Sequence, residues 1–296
     1  MDFFVFAFDH RNSLRSWLSS LDVAPSKQPA IATLAKSLAL EGLSEALRSL
    51  TANEVGMLLV DDEYGRAAIT RARALGVTTI VPVEQSGQPE FIFEHGERDF
   101  WTRFVETGAE TVKALVRYNP QGDAAANARS RDRLAMLAAT AESAGTDLML
   151  ELLVPPTAAQ LAAAGGVAAR FDETVRADLV LDAMAQLIAA DVRPRWWKLE
   201  AYRAVKPARR VAAFGAAHSD NGCLVLGRGA DRKLVAEWVA TAAGLAGYSG
   251  FAIGRTLWVE PLHELLLHHC SEHEVVTKMA ANYLDFVTVY RQQKGS

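Results

Sequence analysis

Eight short runs of apolar, β-forming residues alternate with longer segments that have helical periodicity, and this alternation predicts an α/β fold. Such alternation is typical of parallel βαβ units, in which each helix returns the chain to the start of the next strand. Eight units within 296 residues is the count of a (β/α)8 TIM barrel. A doubly wound open sheet is the alternative, but no glycine fingerprint for phosphate follows the first run, which favours the barrel.

The predicted elements are justified by their composition. The strand runs are rich in Phe, Val, Leu, Ile and Thr, and they lie at Phe3–Phe8, Gly56–Val60, Thr79–Val83, Thr111–Arg117, Asp147–Val154, Arg195–Leu199, Cys223–Leu226 and Gly250–Ile253. Segments rich in Ala, Leu, Glu and Arg predict helices at Tyr64–Leu75, Ala125–Ala144, Glu173–Ala190 and Arg232–Ala246. Two more helices are predicted around Pro261–His269 and Glu274–Arg291. The Ala- and Gly-rich segment Ala158–Arg170 predicts a loop that leads into a helix.

The composition excludes several classes of protein. Half of the residues are hydrophobic and 22% are charged, which excludes a disordered chain. The net charge of −4 argues against a nucleic-acid partner. Two cysteines, Cys223 and Cys270, cannot form a disulfide framework, so we expect a reducing compartment.

The organisation and location of the chain are also expectations from the sequence. No linker rich in Pro, Gly or Ser divides the chain, so a single domain over residues 1–296 is predicted. The N-terminus lacks the basic start and cleavage site of a signal peptide, and no apolar stretch reaches membrane-spanning length. We therefore expect a soluble cytoplasmic protein with no membrane association.

Several predicted strands carry ionisable residues where a barrel is usually apolar. Side chains alternate between the two faces of a strand, and the outer face of a barrel strand packs against helices. Charges on the inner face should therefore point toward the C-terminal mouth, where barrel active sites lie. The residues expected to converge there are Asp9, Glu84, Lys113, Arg117, Glu151, Lys198 and Glu200.

Two interpretations of this charge cluster remain open. One is a structural ion-pair network, for example between Glu151 and Lys113. The other is a catalytic site centred on Lys198, which lies between Trp197 and Leu199. Burial and a second lysine nearby both favour the neutral form of an amine, and a neutral amine is the nucleophile that Schiff-base formation requires.

The last two predicted strands end in glycine and arginine. Gly227, Arg228 and Gly229 follow the seventh strand, and Gly254 and Arg255 follow the eighth. The loops after these strands often bind phosphate in (β/α)8 enzymes, since glycine permits close backbone approach and arginine supplies a planar donor fork. Tight turns with solvated arginines are the alternative.

A set of short motifs occurs in order between Phe8 and Trp258, within a similarity that spans roughly residues 3–260. The motifs are Phe8–Arg11, Asp61–Gly65, Pro82–Gly87, Lys113–Pro120, Glu151, Trp197–Glu200, Leu226–Gly229 and Gly254–Trp258. Together they resemble the 2-deoxy-5-keto-gluconate 6-phosphate aldolase domain of bacterial inositol catabolism. The chain is more distantly similar to tagatose-bisphosphate and sulfofructose-phosphate aldolases. Gln85 departs from the pattern, because many relatives have lysine there.

The resemblance implies a class I aldolase that needs no metal and no cofactor. Lys198 matches the Schiff-base lysine, Glu151 the acid/base carboxylate, Lys113 the second interior lysine and Asp9 the aspartate that ends the first strand. The phosphate-binding end is matched by Gly227, Arg228, Gly229, Gly254 and Arg255, and the substrate-positioning candidates are Glu84 and Arg117. The implied substrate is a phosphorylated keto sugar acid, cleaved to dihydroxyacetone phosphate and malonate semialdehyde. A homo-oligomer is also implied.

The same residues allow three other functions. Asp9, Asp61, Glu63, Glu84 and Glu151 could supply oxygen ligands to Mg²⁺ or Mn²⁺, but two interior lysines argue against a cation there. Zinc is disfavoured because His263, His268, His269, Cys270 and His273 form no compact ligand set. A sugar-phosphate-binding module without turnover would not need the interior lysines and carboxylates together.

Overall fold

The computed structural model describes residues 1–294, and its core is a closed barrel of eight parallel strands. The strands follow the sequence order around the ring, and β1 pairs with β8 to close it. They are β1 (Asp2–Phe8), β2 (Glu54–Val60), β3 (Thr78–Pro82), β4 (Thr111–Arg117), β5 (Asp147–Leu153), β6 (Trp196–Glu200), β7 (Cys223–Leu226) and β8 (Tyr248–Ile253). The predicted (β/α)8 barrel is confirmed, with strand ends shifted by one or two residues.

Twelve helices within residues 1–294 surround the barrel and cover its connections. They are α1 (Asn12–Ser20), α2 (Gln28–Leu47), α3 (Asp62–Ala74), α4 (Gly96–Thr107), α5 (Ala124–Ser143), α6 (Ala158–Ala163), α7 (Ala168–Thr174), α8 (Arg176–Ala189), α9 (Val205–His218), α10 (Arg232–Ala243), α11 (Arg255–Leu266) and α12 (Glu272–Lys294). The two predicted helices after the last strand are present as α11 and α12. No helix within residues 1–294 is long and apolar enough to cross a lipid bilayer.

The connection from β5 to β6 differs from its prediction. Ala158–Arg170 was expected to be a loop that leads into a helix, but it contains the helix α6 and the start of α7. Thr157 caps α6, since its hydroxyl accepts from the Gln160 amide while the Gln160 side chain accepts from the Thr157 amide. The single helix predicted over Glu173–Ala190 is likewise divided, because α7 ends at Thr174 and α8 begins at Arg176.

The strand faces divide the core into two parts, as the period of two predicts. The inner part lies within the barrel and consists of Phe3, Val5, Ala7, Met57, Leu59, Ile80, Met149, Trp196, Leu224 and Ala252. Trp197 and Leu199 face the opposite way and pack with the helices. Lys198 and Trp196 therefore share the inner face of β6, which places Lys198 toward the mouth.

At two glycines, Gly42 and Gly215, the helices of the outer layer pack closely against neighbouring elements. A Cβ on Gly42 of α2 would lie 2.9 Å from Cβ of Met279, so the absent side chain lets α12 pack directly on α2. Tyr283 of α12 reaches the barrel and donates a hydrogen bond of 2.8 Å to the Phe4 carbonyl. On the other side, Gly215 of α9 lies directly over the buried thiol of Cys223.

Candidate active site

A cavity of about 310 Å³ opens at the C-terminal ends of the strands. Six of the residues predicted to converge there line it together, namely Asp9, Glu84, Lys113, Arg117, Glu151 and Lys198. The strand register explains this, because Lys198 is directly opposite Glu151, and Glu151 is opposite Leu115 on β4. Inner-face residues of β4, β5 and β6 thus meet those that follow β1 and β3 in one cavity, whereas Glu200 does not line it.

Lys113 is the centre of the charge cluster. Its Nζ lies 2.6 Å from Glu84 Oε1, 2.9 Å from Asp9 Oδ2 and 3.1 Å from Glu151 Oε2. Burial alone would lower the pKa of Lys113, but the three carboxylates raise it well above its usual value. Lys113 is therefore a fixed ammonium group at neutral pH.

Lys198 shares one of these carboxylates. Its Nζ donates to Glu151 Oε2 at 2.8 Å, and both side chains are almost fully buried. Burial alone would raise the pKa of Glu151, but the positive charges of Lys198 and Lys113 outweigh it and lower that pKa. Glu151 is thus an ionised carboxylate within proton-transfer distance of the Lys198 amine.

The other two carboxylates of the cluster have different protonation behaviour. Burial tends to raise the pKa of Asp9, but Lys113 and Lys198 hold it well below the usual range. Burial dominates at Glu84 and raises its pKa, although Lys113 and Arg11 act in the opposite direction. Asp9 therefore carries its charge firmly, while Glu84 is the carboxylate most easily protonated next to Lys113.

His10 also lines the cavity, although sequence reasoning assigned it no role. Its ring is held edge-on to Trp258 at a centroid distance of 5.4 Å, and Gly254 leaves room for it. Nδ1 lies 3.9 Å from Asp9 Oδ1 and has no hydrogen-bond partner among residues 1–294. Burial is the main cause that lowers the pKa of His10 to about 4, so the imidazole is neutral at neutral pH. Its position beside Asp9 in the sequence was the available signal.

The loop after β3 forms one wall of the cavity. Arg11 fixes its base, donating to the Glu84 carbonyl at 2.6 Å and to Glu94 at 2.8 Å. Asn12 donates to the Ser86 carbonyl at 2.9 Å. Arg117 donates to the Gln88 carbonyl at 2.9 Å, and the predicted loop residue Gln85 lines the cavity beside it. The wall therefore places the Arg117 guanidinium against a backbone carbonyl of this loop, and the carboxylates of Glu84 and Glu90 belong to the same lining.

A second buried ion pair lies beneath the mouth, outside the cavity. Lys36 of α2 contacts the carboxylate of Asp61, and both are fully buried. The same ammonium group donates to the carbonyl of Phe8 at 2.7 Å and to that of His10 at 3.3 Å. Asp61 also caps α3 by accepting from the Tyr64 amide. Asp61 is thus a structural partner of Lys36 and lies apart from the cavity carboxylates.

The predicted phosphate-binding residues lie at the β7–β8 side of the mouth. Gly254 borders the His10 ring, and Arg255 extends across Gly229 to donate to the Arg228 carbonyl at 2.7 Å. Gly229 has a φ of +69°, and a Cβ there would lie within 2.5 Å of the Arg255 guanidinium, so a side chain would displace it. The approach of Arg255 to this turn therefore depends on glycine.

Arg228 points away from the charge cluster. Its guanidinium contacts Asp172 at 2.6 Å and Glu200 at 2.9 Å. It lines a neighbouring cavity of about 660 Å³, together with Arg176 and Tyr202. Gly227 precedes Arg228 at the end of β7 and packs against Val235. Arg228 is therefore already paired with two carboxylates, whereas Arg255 makes no ion pair within residues 1–294.

The carboxylates of the cavity surround an ammonium group. Within residues 1–294, no group of three or more His, Cys, Asp and Glu side chains has the arrangement of a metal site. Of the acidic residues considered as Mg²⁺ or Mn²⁺ ligands, Glu63 lies on the surface and contacts Arg15. Asp9, Glu84 and Glu151 all contact Lys113. Their present arrangement fits a lysine-centred site.

Comparisons with known proteins agree with this architecture. A family model described as "Uncharacterized protein conserved in bacteria (DUF2090)" matches residues 1–294. A search of the curated proteins finds no match. Among solved structures, fructose-bisphosphate aldolase from Plasmodium falciparum is 12% identical, with a TM-score of 0.66 over 98% of this chain and 90% of that one.

Two further structures are similar over nearly their whole length. A Schiff-base-forming fructose-1,6-bisphosphate aldolase is 15% identical, with a TM-score of 0.56 over 97% of this chain and 94% of that one. An archaeal fructose-1,6-bisphosphate aldolase, solved with its catalytic lysine bound to a carbinolamine intermediate, is 14% identical. Its TM-score is 0.56 over 98% of this chain and 94% of that one. At these identities the likeness shows a shared fold.

Proposed function

The chain belongs to the DUF2090 family, and from the chemistry of its barrel mouth we propose that it is a Schiff-base-forming class I aldolase. The observation that carries the proposal is the contact of Lys198 with Glu151 inside the cavity, at 2.8 Å. An amine nucleophile and a carboxylate that can exchange its proton are the two groups that imine formation needs. The fold shared with other aldolases is consistent with this chemistry but does not carry it.

The first half of the proposed reaction uses Lys198 and Glu151. Glu151 accepts a proton from Lys198, and the neutral amine attacks the ketone carbon to form a carbinolamine. Glu151 then returns a proton to the departing hydroxyl, which leaves as water, and an iminium ion remains. The fixed charge of Lys113 stabilises Glu151 as a carboxylate before the first transfer and again after the second.

The second half breaks the carbon–carbon bond. Asp9 accepts the proton of the hydroxyl group beyond that bond, directly or through neutral His10 beside it. The electron pair of the bond moves into the iminium ion, so an aldehyde is released and an enamine remains on Lys198. After the aldehyde leaves, the proton taken up by Asp9 passes through solvent to Glu151, which protonates the enamine carbon. Water then hydrolyses the imine to free the ketone product and Lys198.

The proposed substrate is a phosphorylated keto sugar acid. The motif resemblance supports 2-deoxy-5-keto-gluconate 6-phosphate, which would yield dihydroxyacetone phosphate and malonate semialdehyde. Arg255 and the backbone of Gly227–Gly229 would bind the phosphate, because that arginine has no carboxylate partner within residues 1–294. Arg228 would contribute less than expected, since Asp172 and Glu200 already neutralise it.

Borohydride trapping tests the proposal. We expect dihydroxyacetone phosphate and sodium borohydride to give a stable reduced adduct on Lys198, located by peptide mass spectrometry. Lys198→Met should lose the adduct, whereas Lys206→Met, which removes an exposed lysine, should retain it. An adduct on Lys113 would overturn the assignment of the nucleophile. Absence of any adduct, together with activity that requires added Mg²⁺ or Mn²⁺, would overturn the Schiff-base mechanism.

A further inference from the structure

The charged groups that line the cavity are paired, with one exception among the cations. Lys113 and Lys198 contact cavity carboxylates, and Arg11 contacts Glu94 at 2.8 Å. Arg117 is half-buried and lines the same cavity, but it makes no ion pair within residues 1–294. Its guanidinium donates a hydrogen bond to the uncharged Gln88 carbonyl. Of the cations that line the cavity, Arg117 is thus the one with no carboxylate partner in the described part of the chain.

The positions of Arg117 and Arg255 indicate how a ligand would lie across the barrel mouth. Arg117 ends β4, and Arg255 follows β8, so the two lie on opposite sides of an eight-stranded ring. Lys198 lies on β6, midway between these two strands. A ligand that reaches both arginines would therefore extend across the mouth, with its middle near the Lys198 amine.

The surroundings of Arg117 favour a carboxylate over a phosphate. The cavity lining already includes the carboxylates of Asp9, Glu84, Glu90 and Glu151. A phosphate would bring a charge of about −1.5 to −2 into this acidic setting. One unmatched guanidinium balances a single negative charge, and its planar fork fits the two oxygens of a carboxylate.

We infer that Arg117 binds a carboxylate at the end of the ligand opposite Arg255, so that this site selects substrates that are anionic at both ends. The inference rests on the proposed function, and it adds the group by which the site would recognise the aldehyde half of the substrate. The aldehyde product would carry the carboxylate, and the ketone product would carry the group bound near Arg255.

Aldol addition in the reverse direction measures this selection. With dihydroxyacetone phosphate as the donor, we compare malonate semialdehyde with 3-methylbutanal, in which an uncharged isopropyl group of similar size replaces the carboxylate. Arg117→Met should lower kcat/KM for the acidic aldehyde by about 10- to 100-fold, the range expected for a charge-assisted bidentate contact, and leave the neutral aldehyde nearly unchanged. Arg117→Lys, which keeps the charge but loses the fork, should be intermediate.

Arg210→Met is the matched control, because Arg210 lies on the outer surface and contacts Asp178. It should leave both aldehydes unchanged. An equal loss for both aldehydes in Arg117→Met, or a wild-type protein that does not prefer the acidic aldehyde, would overturn the inference.

A binding measurement separates this inference from the aldolase proposal. Saturation-transfer NMR with 3-hydroxypropanoate, which has a carboxylate but cannot form an imine, should detect binding to the wild type and to Lys198→Met, and none to Arg117→Met. This result without a trapped Lys198 adduct would keep the carboxylate subsite and reject the aldolase. A trapped adduct with binding that persists in Arg117→Met would keep the aldolase and reject the subsite.

Discussion

Lys113 balances three carboxylates that would otherwise repel one another in a buried cavity. Each carboxylate lies within 3.1 Å of its ammonium group. Removing one partner from a buried charge cluster destabilises a protein more than replacing the whole cluster with apolar residues. The remaining charges are then buried without water and without a counter-ion. Lys113 is therefore as important for the stability of the mouth as for its electrostatics.

The Lys113→Met variant should be less stable than the wild type by about 3–5 kcal/mol at pH 7. The deficit should shrink at pH 5, because the unpaired carboxylates then bind protons more readily in the folded state. Adding Glu84→Gln should restore part of the loss by removing one negative charge. Urea unfolding of both variants at the two pH values checks this. A single variant as stable as the wild type at pH 7 would contradict the central role of Lys113.

His10 predicts a dependence of stability on pH. Its pKa is lowered to about 4 in the folded protein from 6.5 for an ordinary histidine, so the unfolded chain binds more protons between these values. Stability should therefore fall as the pH decreases from 6.5 to 4, by about 3 kcal/mol from this residue. His10→Gln should remove that part of the slope in urea unfolding measured from pH 7 to pH 4. An unchanged slope would show that His10 titrates normally.

The residues of the site were predictable to different degrees. Lys113, Glu151 and Lys198 stand out in the sequence because a charge inside an apolar strand has a defined face. Lys36 does not stand out, since a lysine in a helix is usually solvated and its contact with Asp61 depends on how α2 packs. The pairing of Arg228 with Asp172 is similar, because Asp172 lies on α7, which was not predicted as a separate helix.

At the scale of elements, Lys36 links α2 to the ends of two strands. It contacts Asp61 after β2 and the carbonyls of Phe8 and His10 after β1. Lys36→Met should lower the free energy of unfolding by about 3–5 kcal/mol, because it leaves Asp61 charged and buried without a cation. Lys27→Met, which removes an exposed lysine from the start of the same helix, should have little effect. Equal stability of the two variants in urea would contradict this assignment.

The elements themselves show what periodicity can and cannot predict. The eight strands were visible because their apolar runs are short and bounded by helical segments. The short helix α6 was not predicted, since its Ala- and Gly-rich composition reads as a loop. The pattern of Thr157 and Gln160, three residues apart, was the local signal for its start. Composition alone did not predict α6, whereas the capping pattern indicates where it starts.

At the scale of the whole molecule, α12 packs on α2 and contacts the first strand of the barrel. Gly42 allows this approach, and Tyr283 binds the Phe4 carbonyl. Gly42→Val should therefore lower the free energy of unfolding by about 1–3 kcal/mol, and with it the urea midpoint. The reason is that the backbone of α12 lies too close to Gly42 to accommodate a side chain. Thr33→Val, on the exposed side of α2, is the control. Similar midpoints for the two variants would contradict direct packing of the helices.

The buried thiol of Cys223 gives the protein a natural probe of its own opening. Burial beneath Gly215 raises the pKa of Cys223 to about 12, so the reactive thiolate is scarce as well as shielded. Alkylation with iodoacetamide should reach this sulfur at the rate at which the β7–α9 region opens, while half-buried Cys270 reacts earlier. The labelling rate of Cys223 would then measure how much a bound ligand slows the opening of this region, without an introduced label.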